Sequence, residues 1–301
     1  MTAAVVAIFG PTAVGKTAVA IELAELYRAG GADPVAVSCD AIQVYRGLEV
    51  TSGAADAAEH AALEHRLIAV ADVSEEFSAG RFAELARTEI DSLLAAGRLP
   101  IVVGGTGLYM RAALADLELK PPVPAAIRSA VEAEIAAAGP AAVHAELEPD
   151  VASRIHPNDR KRVARALELQ RAGLDPPERE TELWTAQLRH PTALIGIVCG
   201  REELAARIDR RVDAMIAAGA AAEARAAAAS GASRTARSAL GFDELIAGDA
   251  DAVKAAHRRY ARRQMTWLRR MEGVTAIDRS GLDDRETARL VLAAADNAGT
   301  A

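Results

Sequence analysis

Cysteine is nearly absent from this chain. Its 301 residues contain only Cys39 and Cys199, which stand far apart and belong to no C-x-x-C pair. That scarcity excludes a disulfide scaffold and a cysteine-held zinc site, and the expected setting is a reducing cytoplasm. The six histidines show no metal-ligand spacing. Aromatic residues make up 3% of the chain, and Trp184 reads as a packing residue and not as a base-stacking platform. No stretch is long and apolar enough to cross a membrane. The first apolar run, Ala3 to Phe9, lacks a basic leader and leads straight into a glycine-rich loop, so it reads as a strand and not as a signal peptide. Positive charge is also short overall, at a net −7, which argues against broad nucleic-acid binding. Its distribution argues otherwise, because the basic residues concentrate in two stretches.

What is present begins at Gly10-Pro11-Thr12-Ala13-Val14-Gly15-Lys16-Thr17, which fits G-x-x-x-x-G-K-[ST]. A β-branched apolar run precedes it, and Ala18, Ile21, Leu23, Ala24 and Leu26 continue after it in a helical pattern. The glycines let backbone N–H groups curl inward, and the new helix adds the positive end of its dipole. Lys16 would reach phosphate oxygens and the Thr17 hydroxyl would ligate Mg²⁺. The loop says that a phosphorylated ligand binds, but not which bond breaks.

Val35 to Cys39 is a second strand-like run, ending at Asp40. Ligand chemistry in a parallel α/β sheet gathers beyond the carboxyl ends of its strands. Asp40 there suits a helix cap, a Mg²⁺-ligating acid or a catalytic carboxylate, and position alone does not choose. Residues 51–64 read as loop or frayed helix, His65 to Val70 as a strand, and Ser78 to Gly97 as a capped helix. Leu99 to Val103 is a clear strand running into Gly104-Gly105-Thr106-Gly107, where backbone and hydroxyl can approach a ligand closely. Beyond Leu117 the texture changes. Lys120-Pro121-Pro122-Val123-Pro124 is a stiff linker, Gly139-Pro140 and Asp175-Pro176-Pro177 break helices, and strand-like sequence returns only at Leu194. Residues 117–190 therefore read as a helical insertion in an α/β core formed by 1–116 and 191–301.

Inside the insertion, Asn158 or Asp159 can cap a helix whose first turns carry Arg160, Lys161, Arg162 and Arg165. Cations at a helix start oppose its dipole, so an anionic partner is expected there. The second basic stretch, between Ala252 and Met271, holds Lys254, Arg258, Arg259, Arg262, Arg263, Arg269 and Arg270, with no acidic residue. At helical spacing Tyr260, Gln264, Trp267 and Met271 share one face, flanked by two arginine columns. Such a face suits a polyphosphate chain. Arg207 and Arg211, one turn apart, have a spacing that could clamp a diphosphate, but pairing with Glu203, Asp209 or Asp213 is the simpler reading of that helix alone.

In chain order the segments GPTAVGKT, CDAIQVYRGL, HRLI, FSAGRF, PIVVGGTGLYMRA, IHPNDRKRVARALE, RIDRRVDAM, ALGFDEL and YARRQMTWLRR resemble the tRNA dimethylallyltransferase (tRNA isopentenyltransferase) family almost end to end. The resemblance implies a P-loop NTPase-like parallel sheet with a helical insertion domain. It implies transfer of a dimethylallyl group from dimethylallyl diphosphate to N6 of the adenosine 3′ of the anticodon, with Mg²⁺ as cofactor. Asp40 would be the general base and Thr106 would bond near the bridging oxygen of the diphosphate. Arg207 and Arg211 would join the phosphate loop in holding the donor. Contacts to the tRNA anticodon stem-loop would come from Asp40, Ala41, Ile42 and Gln43, from Lys161, Arg162, Val163, Ala164 and Arg165, and from Arg262, Arg263, Gln264, Trp267 and Arg269. The enzyme would act as a monomer in the cytoplasm, with no membrane partner.

The chain departs from the family pattern twice. Val50-Thr51-Ser52-Gly53-Ala54-Ala55 lacks the lysine of a G-T-A-K-P-like segment, and Asp243 stands where a basic residue commonly follows Gly241-Phe242. Both changes fall on phosphate or tRNA contacts. Two other classes fit parts of the sequence. A small-molecule P-loop kinase leaves the arginine-rich helix idle, and a nucleotide-gated RNA-binding protein leaves the Asp40 and Thr106 loops idle.

Overall fold

A computed structural model of the chain describes residues 3–117, 119–175 and 187–298, and Pro176, Pro177 and Trp184 lie outside them. Two compact units divide the chain: Met1–Leu117 with Leu183–Ala301, and Glu118–Glu182.

The larger unit is built on the first apolar run. β1 (Val5–Phe9) is buried at every residue, as a parallel strand covered on both faces must be. It is followed by α1 (Lys16–Ala29), β2 (Pro34–Cys39), α2 (Glu49–Ser52), α3 (Ala57–Ala62), β3 (His65–Arg66), α4 (Ala79–Ala95), β4 (Leu99–Gly104) and α5 (Gly107–Leu114). The smaller unit carries α6 (Ala125–Ala138), α7 (Pro140–His144), α8 (Pro149–Ala152) and α9 (Arg160–Arg171). Back in the larger unit come β5 (Thr192–Val198), α10 (Arg201–Ala217), α11 (Ala220–Ala229), α12 (Phe242–Ala247), α13 (Ala250–Arg270), β6 (Thr275–Asp278) and α14 (Asp284–Ala298). The six strands form one sheet in the order β3-β2-β4-β1-β5-β6, all pairs parallel. This is an α/β, P-loop NTPase-like core.

Alternation along β1 splits the core into two layers. Val5, Ala7 and Phe9 face one side, with Phe82 and Ile90 of α4 and Phe242 of α12. Val6 and Ile8 face the other, against Leu23 of α1 and Val291 of α14. The register places the functional loops. Phe9 and Cys39 both stand level with Gly104, so Gly10, Asp40 and Gly105 leave the sheet side by side. That close approach requires glycine at 104, where a Cβ would lie 2.3 Å from the Cys39 carbonyl oxygen.

Two local readings change, and one strand is added. Of His65 to Val70, only His65 and Arg66 are strand. Leu67 and Ala69 take left-handed φ angles of 62° and 52°, because the chain leaves the sheet to bond the Asp40 loop: Ala69 N–H donates to Gln43 O and Ala71 N–H to Val44 O. Within 51–64, α3 is well formed, with reciprocal capping between Asp56 and Glu59. Strand β6 is not signalled by any apolar run, since three of its four residues are exposed.

The smaller unit packs Val131, Ile135, Val143, Val163 and Leu167 into its own core. Asp159 caps α9 by accepting the Arg162 N–H at 3.2 Å. Residues Arg189 and His190, expected inside the insertion, belong to the larger unit. There Arg189 N–H donates to Leu114 O, and both side chains bond Asp91.

Gly104→Ala should destabilise the fold by about 1–3 kcal/mol, the usual range for forced overpacking. The clash is with backbone, which no rotamer change relieves. Urea denaturation monitored by circular dichroism measures this, and an unchanged midpoint would show that β2 and β4 can separate.

Candidate active site

Residues 10–17 form a tight anion nest. Gly15 takes φ 94° and Ala13 φ 65°, the latter a strain an L-residue accepts only where its surroundings impose it. Among the described residues, no protein acceptor takes the N–H groups of Gly15, Lys16 or Thr17, as expected at a helix start. Thr12 N–H is different: it is spent on Gln264 Oε1 at 2.7 Å. The Lys16 ammonium donates to the carbonyls of Gly10 and Pro11 at 3.1 and 2.9 Å. Burial, with the nearby Arg211 guanidinium as second cause and against a pull from Asp40, brings its pKa down to about 7.

Arg207 and Arg211 part company. Arg207 bonds Glu203 at 2.8 Å, the helix-surface pair. Arg211 is half-buried, and it meets no carboxylate among the described residues. It donates to the carbonyls of Ser52 and Gly53 at 3.2 and 3.3 Å, and its Nε has no partner among the described residues. Burial lowers its pKa, opposed by Asp40 and Glu59. The segment that lacks the family lysine is thus where Arg211 docks. Glu223 of α11 holds it by accepting the N–H groups of Val50 and Thr51 at 2.9 and 2.6 Å.

Asp40 occupies the centre. Its Oδ1 accepts the N–H of Ile42 at 2.9 Å and, more weakly, that of Gln43 at 3.4 Å, an Asx turn that fixes the carboxylate. No bond to Oδ2 exists among the described residues. The Asp40 charge acts on Lys16, Arg211, Tyr109 and Tyr260 alike. Ala41 and Ile42 are half-buried beside it. Gln43 is largely committed within the protein, accepting from Ser38 Oγ at 2.8 Å and donating to Gly53 O at 3.2 Å.

The third loop meets α13. Gln264, 3% exposed, donates to Gly105 O at 2.8 Å while accepting from Thr12, so one amide ties two loops together. Trp267 packs on Gly107, where a Cβ would lie 2.3 Å from its ring. Thr106 Oγ1 lies 3.0 Å from Tyr260 Oη. Sequence alone does not single out Tyr260 or Arg279 as site residues. For Tyr260 the only signal is its place on the face shared with Gln264 and Trp267. Arg279 follows β6 with no pattern around it, yet it is 2% exposed and donates to Val14 O at 2.8 Å. A Cβ on Gly15 would lie 2.2 Å from its Nη1.

The arginine columns of α13 are only partly available. Lys254 pairs with Asp213 at 2.6 Å and Arg258 with Asp209, both on α10. Arg262, Arg263 and Arg269 are exposed and meet no carboxylate among the described residues. Arg263 lies over the Tyr260 ring, 5.4 Å from its centroid, and Arg269 reaches Thr266 at 3.4 Å. In the smaller unit the cations are better matched. Arg160 bonds Glu132, Arg162 sits by Asp159, and Arg165 bonds Glu168 and the carbonyls of Lys120 and Pro121. Lys161 is exposed, whereas Val163 and Ala164, at 0% and 5% exposed, are core residues. The expectation that these two side chains touch tRNA is corrected on that ground.

Residues 43–271 match the family model described as IPP transferase. The chain belongs to the IPP transferase family. A protein named tRNA dimethylallyltransferase from Anaeromyxobacter sp. (strain Fw109-5) is 45% identical to it, over 90% of this chain and 93% of that one. The solved structure of the full-length tRNA isopentenylpyrophosphate transferase from Bacillus halodurans is 32% identical with a TM-score of 0.69, covering 98% of both chains. A eukaryotic dimethylallyltransferase, described in crystallographic snapshots as acting on tRNA, shares the fold at 24% identity and a TM-score of 0.71, over 91% of this chain and 73% of that one. No helix among the described residues is long and apolar enough to cross a membrane. At the family's second departure, Asp243 is engaged by Arg237 at 2.7 Å.

Lys16 generates a pH prediction. Unfolded, its ammonium has a pKa of 10.5, and in the folded chain about 7. The folded state therefore binds fewer protons between these values, and this group's cost to stability, complete below pH 7, is relieved as pH rises towards 10.5. Lys16→Met should raise the melting temperature near pH 7 and remove that part of the pH slope, while abolishing diphosphate binding. Parallel melting profiles for the two proteins would refute the desolvated-lysine account.

Proposed function

We propose that this site transfers a dimethylallyl group from dimethylallyl diphosphate to N6 of the adenosine 3′-adjacent to the anticodon of a tRNA. The chain is a tRNA-modifying transferase by family, and no relative supports the kinase reading. The observation that carries the assignment is Asp40. A carboxylate pinned through one oxygen, with the other unbonded among the described residues, follows β2 beside the phosphate loop, and the later turns of α13 carry Arg262, Arg263 and Arg269, which meet no carboxylate among those residues.

The diphosphate would lie on the N–H groups of Gly15, Lys16 and Thr17. Its charge would be met by Lys16, and by Arg211 turning from the Ser52 and Gly53 carbonyls. Negative charge accumulates on the diphosphate as the allylic C–O bond breaks, and preorganised donors stabilise that charge most. The N6 lone pair forms the new C–N bond, the C–O pair leaves on diphosphate, and the amine proton passes to Asp40 Oδ2. Thr106 would donate to the departing oxygen. Mg²⁺ fits the site modestly: the Thr17 hydroxyl, at the first turn of α1, has no partner among the described residues, and Mg²⁺ commonly takes most of its ligands from phosphate and water. Bound there, it would neutralise charge on the leaving group.

The adenosine must leave its stack to reach Asp40, as in other base-modifying enzymes. Arg262, Arg263 and Arg269 would hold the RNA backbone, with Lys161 and its neighbours in the smaller unit as a second point of attachment.

If Asp40 takes the proton, Asp40→Asn should leave both substrates bound and slow single turnover by about 10²–10⁴-fold. A single-turnover assay across a Mg²⁺ titration decides the point, because full recovery at high Mg²⁺ would make Asp40 a metal ligand instead. Neutralising Arg262, Arg263 and Arg269 together should reduce the salt slope of tRNA affinity by about 0.7–0.9 log units for each phosphate that is no longer neutralised. Donor affinity should stay as it was. An unchanged slope would mean that the stripe is only a solvated face.

A further inference from the structure

Tyr260 has no part in the roles assigned above, yet its hydroxyl sits at the junction of two loops. Oη lies 3.0 Å from Thr106 Oγ1 and 3.3 Å from the Gly105 carbonyl oxygen. A phenol carries one proton, so it can serve only one of these two acceptors well. Gly105 O already receives the Gln264 amide at 2.8 Å, which makes the Tyr260 bond to it the longer and more dispensable one.

The threonine side is equally constrained. Thr106 stands at the N-cap of α5, where a hydroxyl ordinarily accepts a helix N–H, but its side chain makes no capping bond. Its one hydrogen bond among the described residues is to Tyr260. Two proton arrangements are therefore open. Either Thr106 donates to Tyr260 and Tyr260 to Gly105, or Tyr260 donates to Thr106 and the threonine proton points away from the pair. A diphosphate oxygen offers lone pairs and no proton, so only the second arrangement gives it a donor.

We propose that Tyr260 is a positioning residue that sets the direction of the Thr106 proton, donating to Thr106 Oγ1 so that the threonine hydroxyl donates to the departing diphosphate oxygen. This rests on the placement of Thr106 against the diphosphate given above. No proton is transferred along the pair, and both hydroxyls remain intact through the reaction. Burial, reinforced by the Asp40 charge, pushes the Tyr260 pKa up, so the phenol stays protonated and remains a donor. The Arg263 guanidinium over the ring holds it in place.

Because the gain arises as the C–O bond breaks, the effect belongs to kcat and not to donor affinity. Tyr260→Phe, which keeps the ring and its packing, should lower single-turnover kcat about tenfold with little change in donor KM. Thr106→Val should lower it about 10²-fold, and Tyr260→Phe added to Thr106→Val should cost nothing more. Thr106→Ser keeps the hydroxyl and should keep the dependence on Tyr260. A Thr106→Val variant at full rate would overturn the placement of Thr106 and with it the reading on which this inference rests. A slow Thr106→Val with an unimpaired Tyr260→Phe, or with losses that multiply in the double variant, would overturn the role of Tyr260 alone. A rise in KM with kcat unchanged would do the same, because it would show packing and not proton direction.

Discussion

Positive charge held on backbone carbonyls and away from carboxylates is the constraint on which this site depends. Lys16 donates to its own loop carbonyls, and Arg211 to those of Ser52 and Gly53. Carbonyls bind a cation without cancelling its charge. A carboxylate partner would have made both side chains comfortable and useless, because a diphosphate would then have to displace it. Arg279 belongs to the same scheme from behind the loop. It is the exception in having a carboxylate, Asp284 at 2.9 Å, but it also fixes Val14 O, so the carbonyl of the loop points away from where an anion would sit. Burial of the Lys16 ammonium costs stability and brings its pKa near neutrality, a cost that a bound anion would offset.

Holding such a loop requires that its neighbours not move, and the packing shows how that is achieved. Gln264 bonds both Thr12 N–H and Gly105 O, joining the loops that follow β1 and β4 through one buried amide. Glycine at 104, 105 and 107 lets the backbone pass within touching distance of Cys39, Gln264 and Trp267. A side chain at any of them would force apart elements whose spacing sets the site. The left-handed Leu67 and Ala69 serve the Asp40 loop in the same way, bending the chain so that its N–H groups reach Gln43 and Val44. Strain and tight approach thus gather at one edge of the sheet, where ligand chemistry in this class of fold is done.

The sequence made the framework legible where a pattern repeats or a loop has fixed chemistry. The apolar runs at 5–9, 35–39, 99–103 and 194–198 are strands, and the phosphate loop lies between β1 and α1. It failed where function depends on contacts between distant residues. Nothing near Arg279 marks it, since its partner is 265 positions away. Arg207 and Arg211 look equivalent on a helix, and only the fold sends one to the Ser52 and Gly53 carbonyls and pairs the other with Glu203. Val163 and Ala164 sit inside a basic motif, and motif reading alone spreads a role over residues that the helical period assigns to the core. His65 to Val70 misled for the opposite reason: a run of β-formers was overridden by hydrogen bonds to a neighbouring loop.

The two basic stretches, alike in sequence, differ in kind. On α9 the arginines have acidic partners within their own unit, Glu132 for Arg160 and Glu168 for Arg165. On α13 the pattern is graded along the helix. Lys254 and Arg258 are neutralised by Asp213 and Asp209 of α10, whereas Arg262, Arg263 and Arg269, further along, meet no carboxylate among the described residues. Tyr260, Gln264 and Trp267 lie on this same later stretch and reach the Gly105–Gly107 loop. The helix therefore leaves its charge bare on one side just where its other side holds the catalytic loops. A polyanion drawn to those arginines would be held beside the site by the same two turns of helix that position Thr106. On the proposed reading, binding of the RNA and alignment of the donor loops would then depend on a single helix.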